Sequence, residues 1–112
     1  MISKIIKALE DMKAMDIVVI DVRDQTSITD HMIICSGRAS RHVKAIAEHL
    51  IPITKALNMP VLHVSGLDSA DWVLVDLGDI VIHIMQPEAR AFYNLEGLWQ
   101  DNSSQHDNVS YK

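Results

Sequence analysis

The chain has 112 residues, 48% of them apolar, and carries fifteen Asp or Glu against ten Lys or Arg for a formal charge of −5. That length predicts one domain with a core of its own. A sequence-independent grip on RNA or DNA needs clustered Lys and Arg to replace phosphate counterions; the balance here argues against one and draws the chain toward basic partners, and no direct sequence-specific nucleic-acid binding is expected.

Ile2, Ile5, Ile6, Leu9 and Met12 recur at helical spacing and predict an amphipathic helix over 2–14. The β-branched run Asp16 to Asp21 predicts a buried strand, Val22 to Ser27 a loop, with 22–30 falling outside the core, and Met32 to Cys35 a second strand pairing antiparallel with the first. Ser40 is the expected N-cap of a helix striped by Val43, Ile46, Ala47, Leu50 and Ile51. Pro52 predicts a kink or break, with helix resuming to Asn58. A third strand is expected over Val61–Val64. Trp72–Asp76 and Ile80–Met85 follow as a hairpin turning at Leu77-Gly78-Asp79, where Gly78 is free to take positive φ. Pro87 opens a last helix, and Asp101 to Lys112 reads as a polar, disordered tail.

The order α-β-β-α-β-β-β-α predicts an α/β (α+β) fold. Its core is a five-stranded mixed sheet with flanking helices, in a single domain over 1–99 followed by a tail over 100–112. No run of about 18 apolar residues exists and the first ten residues are interrupted by polar ones, so neither a membrane span nor a signal peptide is expected. A lone Cys35 permits no intramolecular disulfide and fits a cytoplasmic location.

Little in the chain points to catalysis. Cys35 lies in an apolar strand and reads as an inert core residue. His42 and His49 are seven apart rather than four, there is no second cysteine, and neither a metal site nor a cofactor is expected. His83 interrupts an apolar strand and reads as a structural histidine under the last helix, as does His63 in its own strand. Asp76 and Asp79 flank the hairpin, where carboxylates serve turn chemistry or, alternatively, face Arg and Lys of a basic partner. On the last helix, Tyr93, Glu96 and Trp99 fall on one stripe, and Ala91, Leu95 and Leu98 on another. The second is the better core face, which leaves the first for docking.

Three stretches carry a family pattern. They are Thr26-Ser27-Ile28-Thr29-Asp30 running into Met32 to Gly37; Ser40-Arg41-His42-Val43; and Ser69 to His83, followed by Arg90-Ala91-Phe92-Tyr93-Asn94-Leu95-Glu96-Gly97-Leu98-Trp99. From Ile2 to Trp99 the chain resembles the ribosomal silencing factor (RsfS or Iojap-like) family. The resemblance implies a nucleotidyltransferase-like fold without enzymatic activity. It also implies binding to the large ribosomal subunit through its universal ribosomal protein fourteen, a block on joining of the small subunit, repression of translation when nutrients are scarce, and a part in large-subunit biogenesis. The docking surface expected on this basis is the sheet edge and last helix, with Trp72, Asp76, Asp79, His83, Arg90, Tyr93, Glu96 and Trp99.

Two rivals remain at this point. A nucleotide-binding protein on a degenerate nucleotidyltransferase fold would need a metal clamp of paired carboxylates. Val61 to Val64 has no Asp-x-Asp pair, and Asp76 and Asp79 are split by a turn. A homodimerisation module is compatible with the ribosomal role, since a dimer would cover the docking face.

Overall fold

The computed structural model describes residues 2–104. Helix α1 (Ile2–Asp11) buries Ile5, Ala8 and Leu9. It ends before Ala14 because Lys13 turns to φ 62°, which lets Ala14 N–H reach the Leu9 carbonyl and Lys13 N–H the Glu10 carbonyl. This is the Schellman closure, with lysine in the place glycine usually takes. Strands β1 (Met15–Asp21) and β2 (His31–Ser36) then pair antiparallel, as the short link between them predicts.

The link, residues 22–30, is better anchored than its polarity suggests. Val22 and Thr29 are buried. Val22 N–H donates to the Asp30 carbonyl, and the Asp30 and His31 N–H groups share the Asp79 carbonyl. The expectation that this loop lies wholly outside the core is corrected accordingly.

Helix α2 (Ser40–Ala56) runs unbroken through Pro52. Pro52 and Glu48, whose carbonyl loses its usual donor, both face solvent, so water can serve that carbonyl and the helix continues. The N-cap is Ala39, not Ser40, and it makes no side-chain cap bond. The His42 ring takes over part of that work: Nδ1 accepts from Arg38 N–H at 2.8 Å while Nε2 meets the Met12 carbonyl at 2.7 Å, tying the start of α2 to the end of α1.

Strand β3 (His63–Ser65) is short and starts two residues later than predicted. It pairs antiparallel with β4 (Trp72–Asp76), which pairs with β5 (Ile80–Met85); β5 lies parallel to β2. The result is a five-stranded mixed sheet in the order β1-β2-β5-β4-β3. Gly78 closes the β4–β5 hairpin at φ 92°.

Helices α1 and α2 cover one face. Ile5, Leu9, Val43, Ile46 and Leu50 pack there with Ile33, Val73, Val75, Ile82 and Ile84. On the other face Ile20, Val22, Met32, Ile34 and Met85 form a second cluster, contacted by Ala89, Leu95 and Trp99. Those three belong to two helices rather than the single one predicted: α3 (Pro87–Tyr93) and α4 (Leu95–Ser104). Asn94 makes the break. Its backbone is left-handed at φ 49°, a conformation Asn tolerates well, and its Oδ1 accepts from Gly97 N–H in the first turn of α4. Helix α4 carries on to Ser104, inside the segment expected as a tail; the rest of that segment, 105–112, lies outside the described residues.

Candidate functional site

The split at Asn94 dissolves the two helical stripes expected on the last helix. Ala91 is exposed and Leu98 is 60% exposed, whereas Trp99 packs on the second core cluster. The site has to be rebuilt from the sheet outward.

Alternation along β4 sends Val73 and Val75 into the helix-covered core and Trp72, Leu74 and Asp76 to the opposite face. Helices α3 and α4 cover the β1–β2–β5 part of that face, while His63 and Ser65 on β3 stay exposed. Trp72 lies on the border between the two. The strand carrying it is not the sheet edge, as expected, but the next one in, because β3 forms the edge.

Trp72 is half-buried and held from two sides. Its indole Nε1–H donates to Nδ1 of His83 at 3.0 Å. Its ring packs on Tyr93 of α3 with centroids 4.8 Å apart at 46°, and Tyr93 in turn meets Phe92 edge-on at 5.0 Å and 89°. The first pair is tilted and the second is the edge-on arrangement that aromatic rings favour. Exposure rises along the strip, to 53% at Tyr93 and 80% at Phe92. An open recess of about 260 Å³ lies on each side: one lined by Ser65, Trp72 and Leu74, the other by Asp71, Gln86, Glu88, Ala89 and Phe92.

His83 is 5% exposed. It is within reach of Trp72 rather than of any partner surface. An indole N–H can only donate, so Nδ1 is the acceptor and the ring proton resides on Nε2; that atom is buried without a hydrogen-bond partner among the described residues. Burial lowers the His83 pKa to about 4, which keeps the ring neutral.

Of the expected docking residues, Arg90 and Glu96 are committed to each other. Arg90 Nε and Nη2 donate to the two carboxylate oxygens of Glu96 at 2.9 and 2.8 Å. The same guanidinium reaches Ser36 Oγ and the Asp16 carbonyl, so it pins α3 and α4 to the ends of β1 and β2. Asp76 spends Oδ1 on Gly78 N–H at 2.8 Å, the turn chemistry that hairpin carboxylates ordinarily supply. Asp79 is exposed. The hairpin end and Trp72 are four residues apart on β4, about 13 Å.

The arrangement therefore brings Trp72, Tyr93 and His83 together, sets Asp76 at the far end of the same strand and Asp79 in the turn beyond it, and leaves Trp99, Arg90 and Glu96 in supporting positions. Phe92, Leu74, His63 and Ser65 were not singled out as docking residues. For Phe92 the only sequence signal was its place beside Tyr93; for the others it was strand alternation, which becomes informative once α3 and α4 are known to cover only part of the face.

Catalytic groups are scarce here. Burial pushes the Cys35 thiol up to about 12, far from a reactive thiolate. Among the described residues no cluster of three or more His, Cys, Asp or Glu is arranged to hold a metal ion, and no helix is long and apolar enough to cross a membrane.

Comparison with known proteins accounts for this architecture. The family model described as ribosomal silencing factor during starvation matches residues 1–112. The chain belongs to the ribosomal silencing factor family. The match extends past Trp99, where the resemblance read from the sequence stopped. The ribosomal silencing factor RsfS of Zymomonas mobilis is 48% identical over 92 residues, covering 82% of this chain and 69% of that protein. A mouse relative, named mitochondrial assembly of ribosomal large subunit protein 1, is 39% identical over 101 residues, covering 88% of this chain and 44% of that protein. A crystal structure of a Chromobacterium violaceum protein is similar to this fold with a TM-score of 0.85 at 39% identity, covering 88% of this chain and 82% of that one.

Proposed function

We propose that this chain docks on the large ribosomal subunit through its universal ribosomal protein fourteen and, by occupying the face that meets the small subunit, prevents the subunits from joining. Family membership and the relatives' names support a ribosomal partner. The observation that carries the docking surface is the Trp72–Tyr93–Phe92 strip, whose exposure climbs to 80% at Phe92 on a chain of charge −5.

Exposed aromatics beside a packed anchor are the groups that dominate interface energy. Asp71 and Glu88 border them, Asp76 and Asp79 lie at the hairpin end of the sheet, and these carboxylates match Arg and Lys on a basic ribosomal protein, where charge complementarity sets register and steers encounter. A stable interface buries about 1,600 Å² in total, which an elongated face of this domain can supply. The mechanism is steric and needs no catalytic step. Docking on immature particles would serve large-subunit assembly with the same surface.

The test is co-sedimentation of the purified protein with isolated large subunits. Stoichiometric binding is expected, lost in folded Trp72→Ala and Tyr93→Ala variants and weakening as salt rises from about 0.05 to about 0.5 M. Absence of binding to clean large subunits contradicts the proposal. Mg²⁺-dependent nucleotide binding by calorimetry would then revive the nucleotidyltransferase-like reading.

A further inference from the structure

A buried histidine in a strand of isoleucines asks for an explanation. Strand β5 reads Ile80-Val81-Ile82-His83-Ile84-Met85, and His83 is as hidden as its apolar neighbours. An aliphatic side chain would fill the place without burying polar atoms, and a ring nitrogen left unpartnered there is a cost to folding. Among the described residues His83 has one polar contact to set against that cost: the 3.0 Å bond its Nδ1 accepts from the indole of Trp72.

The register makes this bond possible. Trp72 pairs with Met85 and Leu74 pairs with His83, so Trp72 and His83 are diagonal neighbours on one face of the β4–β5 ladder. Diagonal positions are too far apart for small side chains but within reach of aromatic ones. The two rings lie 5.9 Å apart at 46°, and on its other side the indole packs on Tyr93. Trp72 thus has its orientation defined from β5 by a hydrogen bond and from α3 by a ring contact. A half-buried tryptophan without the first of these would have to be ordered at the moment of binding, at the expense of affinity.

We propose that His83 is a positioning residue of the docking surface: by accepting the Trp72 indole N–H on Nδ1 it holds that ring in its docking orientation, and it makes no contact with the partner itself. This rests on the docking function proposed above. It changes the role of His83 from an interface contact to a support beneath one, and it makes the requirement at position 83 specific: a hydrogen-bond acceptor two bonds beyond Cβ. Asparagine places its Oδ1 there; leucine fills a similar volume with no acceptor.

The experiment compares wild type, His83→Asn and His83→Leu in two measurements: the ¹⁵N–¹H resonance of the Trp72 indole, assigned with a Trp72→Phe variant, and affinity for purified large subunits. Wild type and His83→Asn are expected to show a downfield, slowly exchanging indole proton, and His83→Leu an upfield, fast-exchanging one. Affinity is expected to fall about ten-fold in His83→Leu, the equivalent of one ordinary hydrogen bond, and to stay within about three-fold of wild type in His83→Asn. A further measurement needs no variant and so survives a His83→Leu protein that fails to fold. The imidazole ¹⁵N shifts of wild type should report an unprotonated Nδ1 and a protonated Nε2, and the opposite tautomer overturns the proposal.

If wild type binds and folded His83→Leu binds as tightly, the positioning role is overturned while the docking function stands. The same holds if His83→Asn keeps the indole signature but loses affinity, since His83 would then be a contact in its own right. If wild type binds no large subunits, the docking function fails and this inference fails with it.

Discussion

Arg90 and Glu96, six residues apart, face each other across the break at Asn94 and are joined by two parallel hydrogen bonds of 2.9 and 2.8 Å. Their side chains are only 11% and 24% exposed. Removing one member of such a pair strands the other in a poorly solvated place, which costs far more than the pair contributes net. Arg90→Ala should therefore lower stability by about 3 kcal/mol in urea denaturation. Arg90→Lys should recover little, since an ammonium cannot span the carboxylate and still reach Ser36 and the Asp16 carbonyl. Equal stability of wild type and Arg90→Ala would show that α3 and α4 do not depend on this pin.

A second prediction concerns the backbone under Trp72. Gly66 has φ 89°, and a Cβ placed there would come within 2.0 Å of the Trp72 carbonyl oxygen. Both the backbone conformation and the contact exclude a side chain. Gly66→Ala should destabilise the protein by about 3 kcal/mol or prevent folding. A thermal melt that matches wild type would mean that the loop before β4 can move away without cost.

Phe92 separates binding from folding. At 80% exposure it contributes little to the core, so Phe92→Ala should change stability by no more than about 0.5 kcal/mol. Binding to large subunits should nevertheless fall about ten-fold, as for other aromatic anchors at interfaces. Unchanged affinity would move the docking surface away from α3.

The buried imidazole gives a pH dependence of definite sign. The folded pKa of His83 is held at about 4 by burial, against an ordinary value of 6.5. Between those values the unfolded chain binds a proton that the folded chain does not, so stability falls as pH drops from about 6.5 to about 4, by about 3 kcal/mol in all. Denaturation of wild type and His83→Asn across this window checks it: the asparagine variant should lack that part of the loss. Parallel curves for the two proteins would contradict the burial of a neutral histidine.

Regular periodicity made much of the architecture legible. The strands Trp72–Asp76 and Ile80–Met85, the α2 stripe and the antiparallel start at β1–β2 follow from alternation, helical spacing and loop length. The errors came where tertiary context outweighed a local rule. Pro52 did not break α2, because the carbonyl it deprives faces solvent. Asn94, unremarkable within a helical pattern, adopted a left-handed turn and split the last helix, and with it the stripe argument for Tyr93, Glu96 and Trp99. The family pattern pointed to the same stretch of chain, but it could not distinguish Tyr93, which is exposed, from Arg90 and Glu96, which hold the surface in place. Nor could it separate His83 from Trp72, since that distinction depends on the register of β4 against β5.

The most direct test of the account is a subunit-joining assay. Purified small and large subunits are mixed at a magnesium concentration that favours association, and light scattering follows joining with and without saturating protein. Wild type should suppress joining, and folded Trp72→Ala at the same concentration should not. Joined ribosomes forming at an undiminished rate and extent in the presence of saturating wild-type protein would contradict the steric block at the centre of this account.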